Sequence, residues 1–277
     1  MSAKDSKEVI VVILTALQQE YNAVREHLDD IQEIDITGTL YERGEFIFKG
    51  NSIATVIIRE CGQTNEIAAQ EVQRAITSFS PHLMFFVGIA GSRKPHDFKI
   101  GDVIFGEKIY NYENGKDLKK DFKSRPESIS STYIITERAK AISRDTEWKT
   151  LFKGSEDSKS IKAGVGIIAS GGKLIEDYNS QIGSIIIDHY NDSQVVEMEG
   201  YGFAKAISRQ GEQFEFGVIR GISDVLAQDL TPDDKFQNQA NISINADRRP
   251  ENNKVFASRT AAAFTYYLIY KRLEKKN

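Results

Sequence analysis

With 277 residues, 40% of them hydrophobic and 27% charged, the chain has an ordinary globular composition and the length to bury one large core or two small ones. A net charge of −4 gives no global positive field, so nucleic acid is not an expected partner. The single cysteine, Cys61, excludes an intrachain disulfide and fits a reducing compartment.

The polar opening, residues 1–8, is expected to be a flexible N-terminus. Val9 to Leu14 is a continuous, mostly β-branched run of the kind found in strands covered on both faces. It is too short to span a membrane and lacks a small-residue cleavage site behind it, so the expected location is the cytoplasm, with no membrane partner. Thr15, with Gln18 three positions on, suggests a capping box, and Leu17, Tyr21, Val24 and Leu28 recur at helical spacing. Tyr41–Phe48 and Ser52–Ile58 alternate and meet at Gly50-Asn51, which predicts a hairpin. Asn65–Phe79 carries one apolar stripe and predicts a helix.

Leu83–Val87 predicts a buried strand ending in Gly88-Ile89-Ala90-Gly91-Ser92, with further extended chain at Val103–Gly106 and Lys108–Tyr112. Glu113–Ser131 is polar and rich in lysine, and is expected as a solvated surface loop. Helices are expected at Tyr133–Arg144 and Ile175–Tyr190, strands at Gly164–Ala169 and Phe214–Ile219, and a long amphipathic helix at Asn253–Leu273. No repeat, low-complexity block or Pro/Gly-rich linker divides the chain. The expected fold is therefore α/β: a single domain, residues 9–277, built on a mixed, mostly parallel sheet flanked by helices on both faces.

Ligands of open α/β sheets bind beyond the carboxyl ends of the strands, which selects the segments after Leu14, Val87, Ala169 and Ile219. The first brings Glu20 one turn into a helix. The second brings the unobstructed N–H groups of a Gly-rich turn, followed by Arg93 and Lys94. The third brings Ser170-Gly171-Gly172-Lys173, and the fourth Ser223-Asp224. Taken singly these are weak signals: Glu20 equally fits a solvated helix carboxylate, Asp224 a helix cap, and Arg93 and Lys94 solvated loop cations. Glu197-Met198-Glu199 is less ordinary, because two carboxylates follow apolar Val195-Val196 and, if buried, demand a cation or a ligand hydroxyl. The four histidines are scattered without ligand spacing, so no metal site is expected.

Val195-Val196-Glu197-Met198-Glu199-Gly200 followed by Val218-Ile219-Arg220-Gly221-Ile222-Ser223-Asp224 resembles the paired signature of the purine nucleoside phosphorylase/nucleosidase superfamily. Thr15–Glu20, Val87–Ser92 and Lys99-Ile100-Gly101-Asp102-Val103 match further motifs of that family, in its order, over residues 9 to 270. The resemblance is closer to methylthioadenosine/S-adenosylhomocysteine nucleosidases. It implies a nucleoside phosphorylase-like fold and roles for single residues. Asp224 matches the acid that protonates purine N7, with Ser223 beside it, and Glu20 matches the base that orients the attacking water. Glu199 matches the carboxylate that holds the ribose 2′- and 3′-hydroxyls, with Met198 packed beside the sugar and Glu197 adjoining. Ala90, Gly91 and Ser92 fall at the family's Gly-rich turn, and Leu174 and Ile175 near its base pocket.

Two departures stand out. Leu174 occupies a place where those enzymes often have an aromatic residue, and Arg93 and Lys94 follow a turn whose family counterpart serves an apolar 5′-thioether. Two cations suit a phosphate better. This pattern, with Ala257–Phe264, is similar to nucleosidase domains used as effectors in bacterial anti-phage systems, some of which act on adenine nucleotides. The resulting expectation is an N-glycosidase without cofactor that hydrolyses an adenine nucleoside or nucleotide, AMP and ATP among them, and forms a homo-oligomer. A purine nucleoside phosphorylase and a catalytically silent nucleoside-binding module are the alternatives.

Overall fold

The structure, a computed structural model, describes residues 9–119, 121–155, 158–175, 180–211, 214–226 and 251–274. The expected flexible N-terminus, the first turn of the helix expected from Ile175, and the segment that Asp224 would cap lie outside the described residues.

In chain order the elements are β1 (Ile10–Thr15), α1 (Gln18–Arg25), β2 (Asp29–Ile36), β3 (Thr39–Phe48), β4 (Asn51–Glu60), α2 (Asn65–Phe79) and β5 (Leu83–Ser92). They continue with β6 (Val103–Asn111), β7 (Gly115–Leu118), β8 (Asp121–Ser124), β9 (Glu127–Ser130), α3 (Tyr133–Ser143) and a short 3-10 helix (Glu147–Leu151). The last are β10 (Ala163–Ser170), α4 (Gln181–His189), β11 (Val195–Glu197), α5 (Gly200–Ser208), β12 (Glu215–Val225) and α6 (Glu251–Leu273).

One mixed sheet runs in the order β11-β10-β6-β12-β5-β1-β4-β3-β2, with β9 added to β6. Its centre is parallel, β4, β1, β5 and β12 lying side by side in one direction. The strand β11 then returns antiparallel to the end of β5, pairing Val195 with Ser92 and Val196 with Gly91. That pairing closes β5, β12, β6, β10 and β11 into a ring and draws the Glu197–Glu199 segment against the end of β5.

Burial follows the two-residue period of a strand. On β1 and β5, Val11, Ile13, Leu83, Phe85 and Val87 pack with α1, α3 and α6, whereas Val12, Leu14, Met84 and Phe86 pack with α2 and α5. The strands are apolar on both faces because helices cover both. Each such side chain contributes about 1.5–3 kcal/mol on full burial, so this double layer is the main source of stability.

Several elements differ from the sequence expectation. The lysine-rich stretch after Glu113 is not merely a loop: β7 and β8 form a hairpin and β9 pairs with β6. Their described residues are mostly polar and exposed or half-buried, so the composition hides them. The charged strand β2 is an edge strand whose isoleucines, Ile31, Ile34 and Ile36, are only half-buried among charged residues, and it escapes too. The helix α6 is not amphipathic, since Ala257, Ser258 and every residue from Thr260 to Ile269 are buried. It meets β12 closely: a Cβ on Gly221 would overlap the Ala257 carbonyl. Thr15 caps nothing; its hydroxyl faces Arg59 O at 3.5 Å, and α1 begins three residues later.

Candidate active site

A cavity of about 440 Å3 opens where five strand ends converge. Its wall takes Ala16, Leu17 and Glu20 after β1, Ile89, Ala90 and Gly91 from β5, Lys173, Leu174 and Ile175 after β10, and Asp224 from β12. Glu197, Met198 and Glu199 close the circuit after β11. The volume lies within the ~300–1,000 Å3 usual for small-molecule sites.

Glu20 is fixed by the first turn of its own helix. Its Oε2 accepts from the N–H groups of Ala16 (2.8 Å) and Leu17 (2.9 Å), and its Oε1 from Ile89 N–H on β5 (2.8 Å). A carboxylate there satisfies donors that a helix start leaves open and sits favourably at the positive end of the helix. The side chain is 2% exposed, and burial pushes its carboxyl above the usual range against the pull of Arg220 and three N–H donors. A raised affinity for a proton is a property suited to a base.

The cation that Glu197 and Glu199 require is Arg220, at the centre of β12 and fully buried. Its Nη2 donates to Glu197 Oε2, and to Glu199 Oε2 at 3.2 Å, while the guanidinium lies 4.8 Å from the Phe86 ring centroid. Glu197 Oε2 also accepts from Glu199 N–H (3.0 Å) and Gly200 N–H (2.8 Å), so this carboxylate caps α5 as well as pairing with arginine. Glu199 is held more loosely, with Thr64 N–H on its Oε1 at 3.4 Å. Burial pushes the Glu199 carboxyl up to about 8; Arg220 opposes the shift, and Glu197 and Glu20 reinforce it. Thr64 delivers its N–H from φ +96°, ψ 153°, a backbone region that glycine alone adopts without strain. Gly88 leaves room for the cluster, because a Cβ there would overlap Arg220 Nη1 and stand 2.6 Å from Glu20 Oε1.

Asp224 owes its position to a bulge. Ile222 pairs with Ala90 and Asp224 with Gly91, so Ser223 is the extra residue that redirects the strand end. The Ser223 hydroxyl lies 2.6 Å from Asp224 Oδ1 and 3.4 Å from Ala90 O. A side chain at Gly91 would come within 3.0 Å of Asp224 Oδ2 and 2.6 Å of Leu226 Cδ1, so this glycine keeps the carboxylate's approach open.

Met198, half-buried, and Ile175, buried, present apolar surface to the cavity, and Leu174 is exposed at its edge. Ser92, Arg93, Lys94 and Ser223 are not on the wall. The Ser92 hydroxyl donates inward to Phe98 O at 2.6 Å. Arg93 turns to the C-terminal end of α4, its Nη1 donating to Tyr190 O (2.8 Å) and Ser193 O (3.0 Å), where a cation satisfies helix carbonyls. The cations at the rim are instead Lys173 and Lys254. Lys173 stands 3.7 Å from Glu113 Oε1, and Lys254 3.5 Å from Glu251 Oε2. Sequence reasoning gave no role to Arg220, although a charged residue inside an apolar strand was the available signal. It also missed Gln63, Glu251 and Lys254, which only tertiary structure brings to the cavity. Among the described residues no group of His, Cys, Asp and Glu is arranged to hold a metal ion.

Solved structures share this fold along nearly the whole chain. A 5′-methylthioadenosine/S-adenosylhomocysteine nucleosidase from Colwellia psychrerythraea, in complex with adenine, superposes with a TM-score of 0.70 at 18% identity, covering 96% of each chain. The corresponding nucleosidase from Neisseria meningitidis, bound to methylthio-immucillin-A, gives 0.69 at 20% identity, covering 95% of this chain and 99% of that one. Futalosine hydrolase of Helicobacter pylori gives 0.67 at 18%, covering 96% and 98%. No curated protein sequence matches significantly. At these identities the likeness concerns the fold. The family itself is read from sequence: the phosphorylase superfamily model matches residues 10–251, and the chain belongs to that superfamily.

Proposed function

We propose that the chain is a purine nucleosidase that hydrolyses the N-glycosidic bond and releases the base, with adenine the favoured base. The observation that carries this reading is the meeting of Glu20, Glu199 and Asp224 on one cavity beside an apolar wall. Glycosidic cleavage passes through an oxocarbenium-like state and needs an acid for the leaving group and a base for water. In this reading Asp224, steadied by Ser223, donates to purine N7, and Glu20 takes the proton of the attacking water. Glu199 holds the 2′- and 3′-hydroxyls, and the anionic wall stabilises charge developing at C1′. Met198 packs beside the sugar, while Leu174, Ile175 and the edge of β5 at Ala90–Gly91 border the base. Relatives of the same fold crystallised with adenine and with a methylthio-immucillin support a purine ligand.

Water is favoured over phosphate as nucleophile because the one buried guanidinium here, Arg220, pairs with Glu197 and Glu199 and lies in the field of Glu20. A phosphate entering beside Glu20 would meet two further carboxylates. The 5′ group is a separate matter. Arg93 bonds the end of α4 instead of lining the cavity, which weakens the case for phosphate at that turn. Lys173 and Lys254 at the rim supply the two cations that favour a 5′-nucleotide, AMP or ATP. A nucleotide-consuming effector role in anti-phage defence would follow only from that specificity. A homo-oligomer is part of the same proposal, and light scattering showing only a 31.1 kDa particle would contradict it.

The test is chromatography for free adenine after incubating the protein, without phosphate, with adenosine, methylthioadenosine, AMP and ATP in parallel. Adenine from at least one substrate supports the nucleosidase, and adenine from AMP or ATP alone supports the cationic rim. Adenine chiefly from methylthioadenosine overturns the nucleotide reading. No adenine without phosphate, but release with it, overturns hydrolysis in favour of phosphorolysis. No adenine under either condition leaves the silent binding module as the better reading.

A further inference from the structure

We propose that Glu199 stores a proton in the free protein and surrenders it when a vicinal diol binds. The proposal rests on the cavity's reading as a nucleoside site and adds how that site recognises the sugar. Its basis is the unequal provision of donors to three buried carboxylates that share one guanidinium. Glu20 receives three backbone N–H groups at 2.8–2.9 Å. Glu197 receives two backbone N–H groups and Arg220 Nη2 on one oxygen. Glu199 receives two long contacts, 3.2 Å from Arg220 and 3.4 Å from Thr64 N–H.

A buried cluster with three negative charges and one positive is relieved by a proton, and the proton goes to the carboxylate with the poorest donors. Every charged group facing Glu199 favours this outcome except Arg220: Glu197 comes from β11 and Glu20 from α1. The turn before α2 brings Cys61, whose thiol burial pushes up to about 12 and so keeps neutral. Glu71, on α2 behind it, is satisfied by Arg59 at 2.7 Å and Arg74 at 2.6 Å.

A bound diol changes the balance. Two sugar O–H groups donate to Glu199 and supply what the free site lacks, which favours the ionised form. The Glu199 proton passes to solvent; no bond of the sugar is made or broken. A carboxylate is thereby created beside C1′ only when a ribose is present. The carboxyl's elevation to about 8 sets the pH window. Below it, affinity for a diol-bearing ligand rises about tenfold per pH unit, and above it the affinity levels off.

Two measurements test this. In protein carrying 13C-labelled glutamate carboxyls, one resonance of the free protein titrates near pH 8 and is missing from Glu199→Gln. Glu20→Gln serves as the second variant and retains it. Absence of any glutamate titrating above pH ~6, persistence of the resonance in Glu199→Gln, or its loss in Glu20→Gln overturns the stored proton. Calorimetry of Asp224→Asn with adenosine at pH 7, in HEPES and in Tris, then reads proton exchange. Release approaching one proton is expected for adenosine and none for 2′,3′-dideoxyadenosine. Equal release from both ligands overturns the diol coupling. Failure of adenosine to bind removes the coupling together with the nucleoside reading, while the carboxyl titration still decides where the proton resides.

Discussion

The two walls of the cavity are built on different principles. The inner wall, Glu20, Glu197 and Glu199 around the buried Arg220, is 5% exposed or less; Glu20 and Glu199 accept backbone N–H groups of another segment, and Glu197 those at the start of α5. The outer wall is made of Lys173, Leu174, Glu251 and Lys254, and its ion pairs are long. Charges held by a rigid scaffold keep a fixed geometry and shifted proton affinities, whereas exposed pairs are screened and adjust to what approaches. The difference fits the proposed division, in which chemistry belongs to the inner wall and substrate choice to the outer one.

The contrast is broken most severely at Arg220. Arg220→Met leaves three buried carboxylates around an apolar side chain and is expected to cost about 3–5 kcal/mol of stability, read by urea unfolding. A loss below about 1 kcal/mol would mean that the carboxylates do not depend on the cation. Asp224→Asn should lower kcat by about 10²–10⁴ while leaving stability within about 0.5 kcal/mol, because only half-buried surface changes. Full turnover in this variant would remove Asp224 as the acid.

Thr64→Gly sharpens the comparison from the other side. It relieves a strained φ of +96° next to Glu199 and is expected to stabilise by about 1 kcal/mol, after the added freedom of the unfolded chain is counted. A lower melting temperature would show that the threonine side chain matters more than its backbone. The smallest effect belongs to the outer wall. Lys173→Ala with Lys254→Ala should raise KM for AMP about two- to fivefold and leave adenosine unchanged, as befits solvent-screened rim cations. An equal effect on both substrates would separate these lysines from any 5′-phosphate.

The sequence carried the three proposed reacting carboxylates better than the outer wall. Glu20, Glu199 and Asp224 lie at or just beyond the carboxyl ends of buried strands, where an open α/β sheet gathers its ligands, so their places were legible from apolar runs and turns. The demand of Glu197 and Glu199 for a cation was legible too, but its source was not. Arg220 lies some twenty positions on, and only the closure of β11 onto β5 brings the two segments together. Arg93 and Lys94 show the opposite failure. Their nearness to Gly91 along the chain suggested a shared site, yet Arg93 bonds the end of α4. Strands β2, β7 and β8 are short of apolar residues and only half-buried, so no continuous apolar run announced them. The α6 helix lost its expected polar side because small alanines and buried aromatic residues let it pass through the core.

Hydrolysis at the proposed purine nucleoside site is tested most directly by the identity of the sugar product. With phosphate removed, the protein should convert its substrate to free base and an unmodified sugar or sugar 5′-phosphate, at a rate unchanged when phosphate is restored. Turnover that requires phosphate and yields a sugar 1-phosphate would contradict it.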